Sequence, residues 1–273
     1  MKLSEMKSAL AKHDLTLTKS LGQNFLHDQN QIRRIVDAAE ILPADKILEI
    51  GPGLGPLTEL LVTKAGEVLA IEKDQRLFDF LEQRFSGVAS LKLLCADALD
   101  YVKANRTWGD WKLVANLPYS VASPIVIELA WADAPPKSLT VTLQLEVVER
   151  IAAGAGDDHY GLMSLLMQLH YEVRTWFKIP AGCFFPAPDV DSACILLQRR
   201  PTAILPERLH RNFMRVVKRG FSQRRKMMLK LLKQDWPPDK LLAGFAAAGI
   251  SVQTRAEQVS LEQFVRLTEM IST

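Results

Sequence analysis

Cysteine is scarce in this chain. There are three, Cys95, Cys183 and Cys194, far apart and odd in number. With no C-x-x-C pair among them, neither a disulfide framework nor a thiolate zinc site is on offer. Reduced thiols in a cytoplasmic protein are the expected state. The five histidines show no ligand spacing, so no metal is expected either. Long apolar runs are missing as well. None approaches the roughly 20 residues that cross a bilayer, which argues against a membrane partner. Charges are scattered through the first segment (Lys2, Glu5, Lys7, Lys12, His13, Asp14), where a secretory signal would need an apolar stretch. An excess of one charge is absent too. Lys and Arg number 34 against 31 Asp and Glu, a net charge of +3. That excludes a uniformly basic nucleic-acid coat, so any RNA surface has to be local. No internal repeat or low-complexity tract is present.

What is present is enough apolar residue, 48% of 273, for one large core and a small second domain. Apolar positions Ile32, Ile35, Val36 and Ala39 follow helical spacing behind Asp28, a natural N-cap. Short buried strands are expected at 46–50, 68–72, 91–95, 112–115 and 138–145, with helices at 57–64 and 74–85 between the first three. Two later strands, 171–179 and 192–198, complete the sheet. Strands alternating with helices predict an α/β fold, a Rossmann-like, doubly wound parallel sheet. Beyond Arg199-Arg200-Pro201 the pattern turns all-helical, with helices at 206–219, 223–233, 239–248 and 261–271. The expected organisation is a catalytic domain over 1–200 and a small helical domain over 201–273.

Gly51-Pro52-Gly53-Leu54-Gly55 stands directly after the first strand of that sheet and before a helix. In that context glycines let a ligand approach the backbone at the carboxyl end of the strand. Glu72 ends the second strand, near the spacing of a ribose-binding acid, and one carboxylate can accept from two hydroxyls. Asp97 follows the third strand, where it can accept from an adenine amine. The spacing is G-x-G-x-G rather than that of dinucleotide sites, and Pro56 removes an N–H that a pyrophosphate would use. A ligand with an adenosine and no phosphates fits better, and S-adenosylmethionine is such a ligand.

Asn116-Leu117-Pro118-Tyr119 ends the fourth strand, beside that site. An exocyclic adenine amine is a poor nucleophile because its lone pair is delocalised into the ring. The Asn116 side-chain oxygen and the Pro118 carbonyl can each accept one of its two N–H groups, bending the nitrogen toward tetrahedral geometry. Such catalysis is positioning and electrostatics, with no metal or strong base. Tyr119 would stack on the face of a flipped base.

With these residues in view, the chain resembles the ribosomal small-subunit RNA adenine dimethyltransferases nearly end to end. The motifs are Leu21-Gly22-Gln23-Asn24-Phe25-Leu26, Glu49-to-Gly55, Asn116-to-Tyr119, Phe184-Phe185-Pro186-Ala187-Pro188-Asp189-Val190-Asp191-Ser192 and Phe221-Ser222-Gln223-Arg224-Arg225-Lys226. The resemblance implies cofactor contacts at Asn24, Leu26, Gly51, Glu72, Asp97 and Asn116. It implies catalytic roles for Asn116, Pro118, Tyr119 and Phe184, the last stacking on the base face opposite Tyr119. A small departure is Arg255-Ala256-Glu257, where the family commonly has proline in the middle. The implied substrate is a pair of neighbouring adenines in the 3′-terminal hairpin of small-subunit rRNA, each receiving two methyl groups. The implied partner is the small ribosomal subunit, with a role in its biogenesis, and a monomer is expected.

Basic residues gather from Arg199 onward: Arg199, Arg200, Arg208, Arg211, Arg215, Lys218, Arg219, Arg224, Arg225, Lys226, Lys230 and Lys233. A charge run is usually only a solvated helix face, but beside an RNA-modifying site phosphate contact is the better reading. Three alternatives compete: a large-subunit rRNA adenine methyltransferase of the macrolide-resistance type, an assembly factor acting mainly by binding, and a methyltransferase of small molecules or proteins. Leu117 and the helical tail favour the small-subunit reading over the first. The basic tail and Phe184 argue against the last.

Overall fold

The computed structural model describes residues 1, 3–13, 15 and 23–272; Leu21 and Gly22 of the first motif lie outside them. The chain divides into two compact units, Met1–Val148 with Glu172–Arg199, and Glu149–Tyr171 with Arg200–Thr273.

In chain order the first unit carries α1 (Leu3–Lys12), β1 (Phe25–Leu26), α2 (Gln29–Ala38), β2 (Lys46–Ile50), α3 (Thr58–Lys64), β3 (Glu67–Glu72), α4 (Gln75–Arg84), β4 (Leu91–Cys95), α5 (Ala98–Ala104), β5 (Trp111–Asn116), α6 (Tyr119–Ala130) and β6 (Ser138–Gln144). The chain leaves this unit within α7 (Leu145–Ala152), passes through α8 (Leu162–Gln168) and returns along β7 (Tyr171–Ile179) to β8 (Phe184–Phe185) and β9 (Ser192–Arg199). The seven-stranded sheet has the order β4-β3-β2-β5-β6-β9-β7. The strands from β4 to β6 are parallel, as expected, whereas β9 runs antiparallel to β6. From β2 the chain builds outward through β3 and β4, then crosses back to lay β5 on the other side. Strand order therefore reverses between β2 and β5, and a crevice opens at their carboxyl ends, where doubly wound sheets bind ligands.

Aspartates start three of the helices. Asp28 accepts from the amides of Asn30 and Gln31, Asp74 from that of Arg76, and Asp97 from those of Leu99 and Asp100. Each short carboxylate satisfies amides that the first turn leaves open. The expected α2, α3 and α4 and all seven sheet strands are present within a residue or so. Helices α1 and α5 to α8 fall in stretches where the sequence suggested no element. Helix α6 forms despite Pro124 in its interior, with Ala122, Ile125, Val126 and Leu129 buried; burial outweighs the one backbone bond that proline removes.

The second unit contains α8, α9 (His210–Gly220), α10 (Met228–Leu232), α11 (Pro238–Ala247) and α12 (Leu261–Ser272). Helix is expected from residue 223, but α10 begins only at Met228, and the preceding motif residues form turns. The expected division at 200/201 also needs correcting, because residues 149–171 belong to the helical unit. The physical reason is Tyr160. Its ring is buried edge-on against Phe221, 6.0 Å between centroids, and its hydroxyl donates to the Val259 carbonyl at 2.9 Å. The Gly156 amide adds a bond to the Glu257 carbonyl at 2.8 Å.

Candidate active site

The crevice at the switch point is a cavity with about 890 Å³ of empty space, part of it open to solvent. Its walls come from the ends of β2, β3, β4 and β5 and the loops that follow. They include Asn24, Gly51, Glu72, Asp97, Asn116, Pro118 and Tyr119, seven of the nine expected site residues.

Gly51 leaves β2 at φ +67°, and a Cβ there would stand 3.2 Å from the Pro118 ring. Only glycine lets the loop turn here at low cost and rest against the Asn116-to-Tyr119 segment. Its amide donates to the Ile71 carbonyl at 2.9 Å. Gly53 donates its amide to Glu72 Oε2 at 3.1 Å, while Glu72 Oε1 accepts the Lys73 and Asp74 amides, each at 2.9 Å. Burial pushes the Glu72 carboxyl above its usual range, and these three amides oppose the shift. A carboxylate has about four acceptor positions, so with three filled, about one remains on Oε2.

Asp97 is arranged similarly. Its Oδ1 caps α5, and its Oδ2 accepts from Lys73 Nζ at 2.7 Å. The Lys73 ammonium holds the Asp97 carboxyl below its ordinary value. Lys73 is itself a wall residue. Asn116 donates Nδ2 to the Asn24 carbonyl at 3.1 Å. That bond fixes the amide plane and leaves Oδ1, a buried oxygen, without a hydrogen-bond partner. Such an orphan is costly unless a ligand fills it. The Pro118 carbonyl accepts from the Val121 amide at 3.1 Å, one of its two lone pairs. Tyr119 is half-buried, and its hydroxyl is bonded to Ser192 Oγ.

Leu26 and Phe184 do not reach the cavity. They face each other across the β1–β8 ladder and are buried in the core with Ile32, Val36, Ile179 and Cys194. Phe184 is 2% exposed, so the stacking expected of it is not what this arrangement provides. The reason is the two-residue alternation of a strand. Phe25 and Phe185 take the opposite face, and Phe25 lines the cavity against Gly53. Nothing in the sequence marks Phe25, Lys73, Leu77 or Leu99 as wall residues, which the folded chain brings to the cavity beside Gly53, Glu72 and Asp97.

The residues present fit an adenosine carrying an amino-acid tail. Two carboxylates each keep an open acceptor position for hydroxyl or amine donors. Ile71, Leu77 and Leu99 supply apolar wall for a purine, and the glycine loop leaves room where a Cβ would intrude. Among the described residues no group of three or more His, Cys, Asp or Glu is arranged to hold a metal ion, and no helix is long and apolar enough to cross a membrane.

In the helical unit, Phe221 is half-buried against Phe264, and Ser222 to Lys226 are exposed. Arg224 donates to the Asp158 carbonyl at 2.9 Å, which steadies the turn. Arg208, Arg211, Lys218, Arg225, Lys226, Lys230 and Lys233 are exposed too. Arg215 and Arg219 are paired with Asp235, and Arg200 bonds the Gln168 carbonyl. Four of the expected basic residues, Arg200, Arg215, Arg219 and Arg224, thus have a partner within the unit.

A family model described as Ribosomal RNA adenine dimethylase matches residues 15–273. The chain is 40% identical over 268 residues to the ribosomal RNA small subunit methyltransferase A of Magnetococcus marinus, covering 96% of this chain and 94% of that one. It is 38% identical over 279 residues to the protein of the same name from Bacillus cytotoxicus, covering 97% and 94%. Of solved structures, the 23S rRNA methyltransferase ErmE superposes with a TM-score of 0.72 at 27% identity, over 92% of this chain and all of that one. A dimethyladenosine transferase from Plasmodium falciparum gives 0.77 at 23% identity, covering 89% and 95%, a likeness of fold.

Proposed function

This chain belongs to the ribosomal RNA adenine dimethylase family, and from that premise we propose that it dimethylates the N6 amines of two adjacent adenosines in the 3′-terminal hairpin of 16S small-subunit rRNA. S-adenosylmethionine, when bound, supplies an electrophilic methyl on a sulfonium. Glu72 and Asp97 would hold its ribose hydroxyls and adenine amine, with Gly51 and Asn24 beside its remaining length.

The observation that carries the reading is the orphaned Oδ1 of Asn116, a residue that lines the cavity. It accepts one N–H of the target amine, and the second lone pair of the Pro118 carbonyl accepts the other. Withdrawing both protons from the ring plane lets the nitrogen pyramidalise and frees its lone pair for attack. Tyr119 stacks on the base and keeps its amine in line with Asn116. A monomethylated adenine has one N–H left, so the clamp loses a bond on the second transfer, which is therefore the slower one. Phe184 has no part in this arrangement. The exposed basic residues of the helical unit supply phosphate contacts that set affinity and register.

Identities of 40% and 38% to small-subunit enzymes, against 27% to ErmE, favour the small over the large subunit as substrate. The test of the clamp is single-turnover methylation of a substrate hairpin. Asn116→Ala is expected to slow the chemical step by about 10²-fold, the scale of a lost positioning contact. An unchanged rate would remove the clamp from the mechanism.

A further inference from the structure

Ser192 closes the motif that begins at Phe184, and neither the cofactor contacts nor the base clamp accounts for it. It is fully buried at the head of β9 and does not line the cavity. Its Oγ is hydrogen-bonded to the hydroxyl of Tyr119, 73 positions away in the chain. The two ends of that bond are held very differently. β9 pairs with β6 through seven consecutive residues, with Ser192 opposite Gln144. Asp191, next to it, accepts the Ala181 amide at 3.0 Å and offers its carbonyl to the Leu145 amide at 3.0 Å. Tyr119 is the first residue of α6, and its ring can turn about two side-chain torsions unless something holds its far end. A phenol taken out of water needs a polar partner, and this partner sits on a strand laddered to β6 over seven residues.

We propose that Ser192 is a positioning residue for adenine methylation: by tethering the Tyr119 hydroxyl it fixes the ring on which the target base stacks, and hence the base amine relative to Asn116. This rests on the stacking role of Tyr119. Ser192 acts through the tyrosine and touches neither substrate nor cofactor.

The experiment is a double-mutant cycle read by single-turnover methylation, with S-adenosylhomocysteine affinity measured by calorimetry and folding by thermal denaturation. Ser192→Ala is expected to lower the rate about tenfold while affinity stays within twofold. Tyr119→Phe removes the same bond from its other end and should give the same loss. The double variant should be no slower than either single one, because both delete one interaction. Losses that multiply in the double variant would overturn the proposal, as would a Tyr119→Phe enzyme at full rate. That second criterion holds even if Ser192→Ala fails to fold, since Tyr119→Phe removes a single oxygen. The two readings separate through Tyr119→Ala. If it is slow while Ser192→Ala is at full rate, stacking stands and the tether falls. If Tyr119→Ala is itself at full rate, the stacking role falls and takes the tether with it.

Discussion

Glu49 is the most thoroughly buried acid of the site region, 1% exposed in β2 and two residues before Gly51. Burial pushes its carboxyl up to about 8, opposed by Thr58 and reinforced by the charge of Glu72. The sign of the pH effect follows. Between roughly pH 4.5 and 8 the folded chain keeps a proton that the unfolded chain has lost, so stability falls as pH rises across that window, by up to about 1.4 kcal/mol per unit. Glu72, shifted in the same direction, adds to the trend. Denaturation midpoints measured from pH 5 to 8 should decline, and Glu49→Gln should flatten the decline; an equally steep slope in the variant would place the proton elsewhere. At Gly51, alanine would bring both the strain of a positive φ, about 1–2 kcal/mol, and a Cβ against Pro118. Gly51→Ala is expected to weaken S-adenosylhomocysteine binding at least tenfold, measured by calorimetry. Residues such as Gly51, Glu72, Asp97 and Asn116 were legible in the sequence because each sits at a strand end with a chemistry that strand ends use. Lys73 was not legible as a partner of Asp97, because the pairing depends on two loops meeting.

The elements were legible where periodicity or capping was strong. β2 and β4 are short apolar runs with turn signals on both sides, and Asp28 announces α2. α5 and α6 lie in a stretch with little period, one of them interrupted by Pro124, and their existence depends on packing against each other and on the sheet. The two-residue ladder of β1 and β8 is the sharpest case. Sequence order alone does not say which of two neighbouring residues points inward, and a shift of one position exchanges Phe184 for Phe185 and Leu26 for Phe25. A core phenylalanine truncated to alanine costs about 3–5 kcal/mol. Phe184→Ala should therefore lower chemical-denaturation stability by that amount. A variant as stable as the parent but catalytically dead would mean that Phe184 leaves the core to meet the base.

At the scale of the whole molecule, the change from alternating to helical pattern after residue 200 was visible in the sequence, but the loan of residues 149–171 to the helical unit was not. That segment carries short helices, and its membership is decided by Tyr160, Gly156 and the Gln168 carbonyl, which bond Val259, Glu257 and Arg200 far along the chain. A net charge of +3 hides a helical unit in which exposed basic residues gather on α9 and the turn before α10. Arg224→Ala with Arg225→Ala should weaken RNA binding and reduce the slope of log affinity against log salt by about 1–2, one phosphate contact per arginine. An unchanged slope would leave the two arginines with no phosphate to face. Which adenines are modified decides between the small and the large subunit. Purified small and large ribosomal subunits lacking the modification would be incubated with the enzyme and isotopically labelled S-adenosylmethionine, and their rRNA digests read by mass spectrometry. Two adjacent N6,N6-dimethyladenosines near the 3′ end of the small-subunit rRNA, with the large subunit unlabelled, is the predicted result; label on large-subunit rRNA alone, or on no adenine at all, would contradict it.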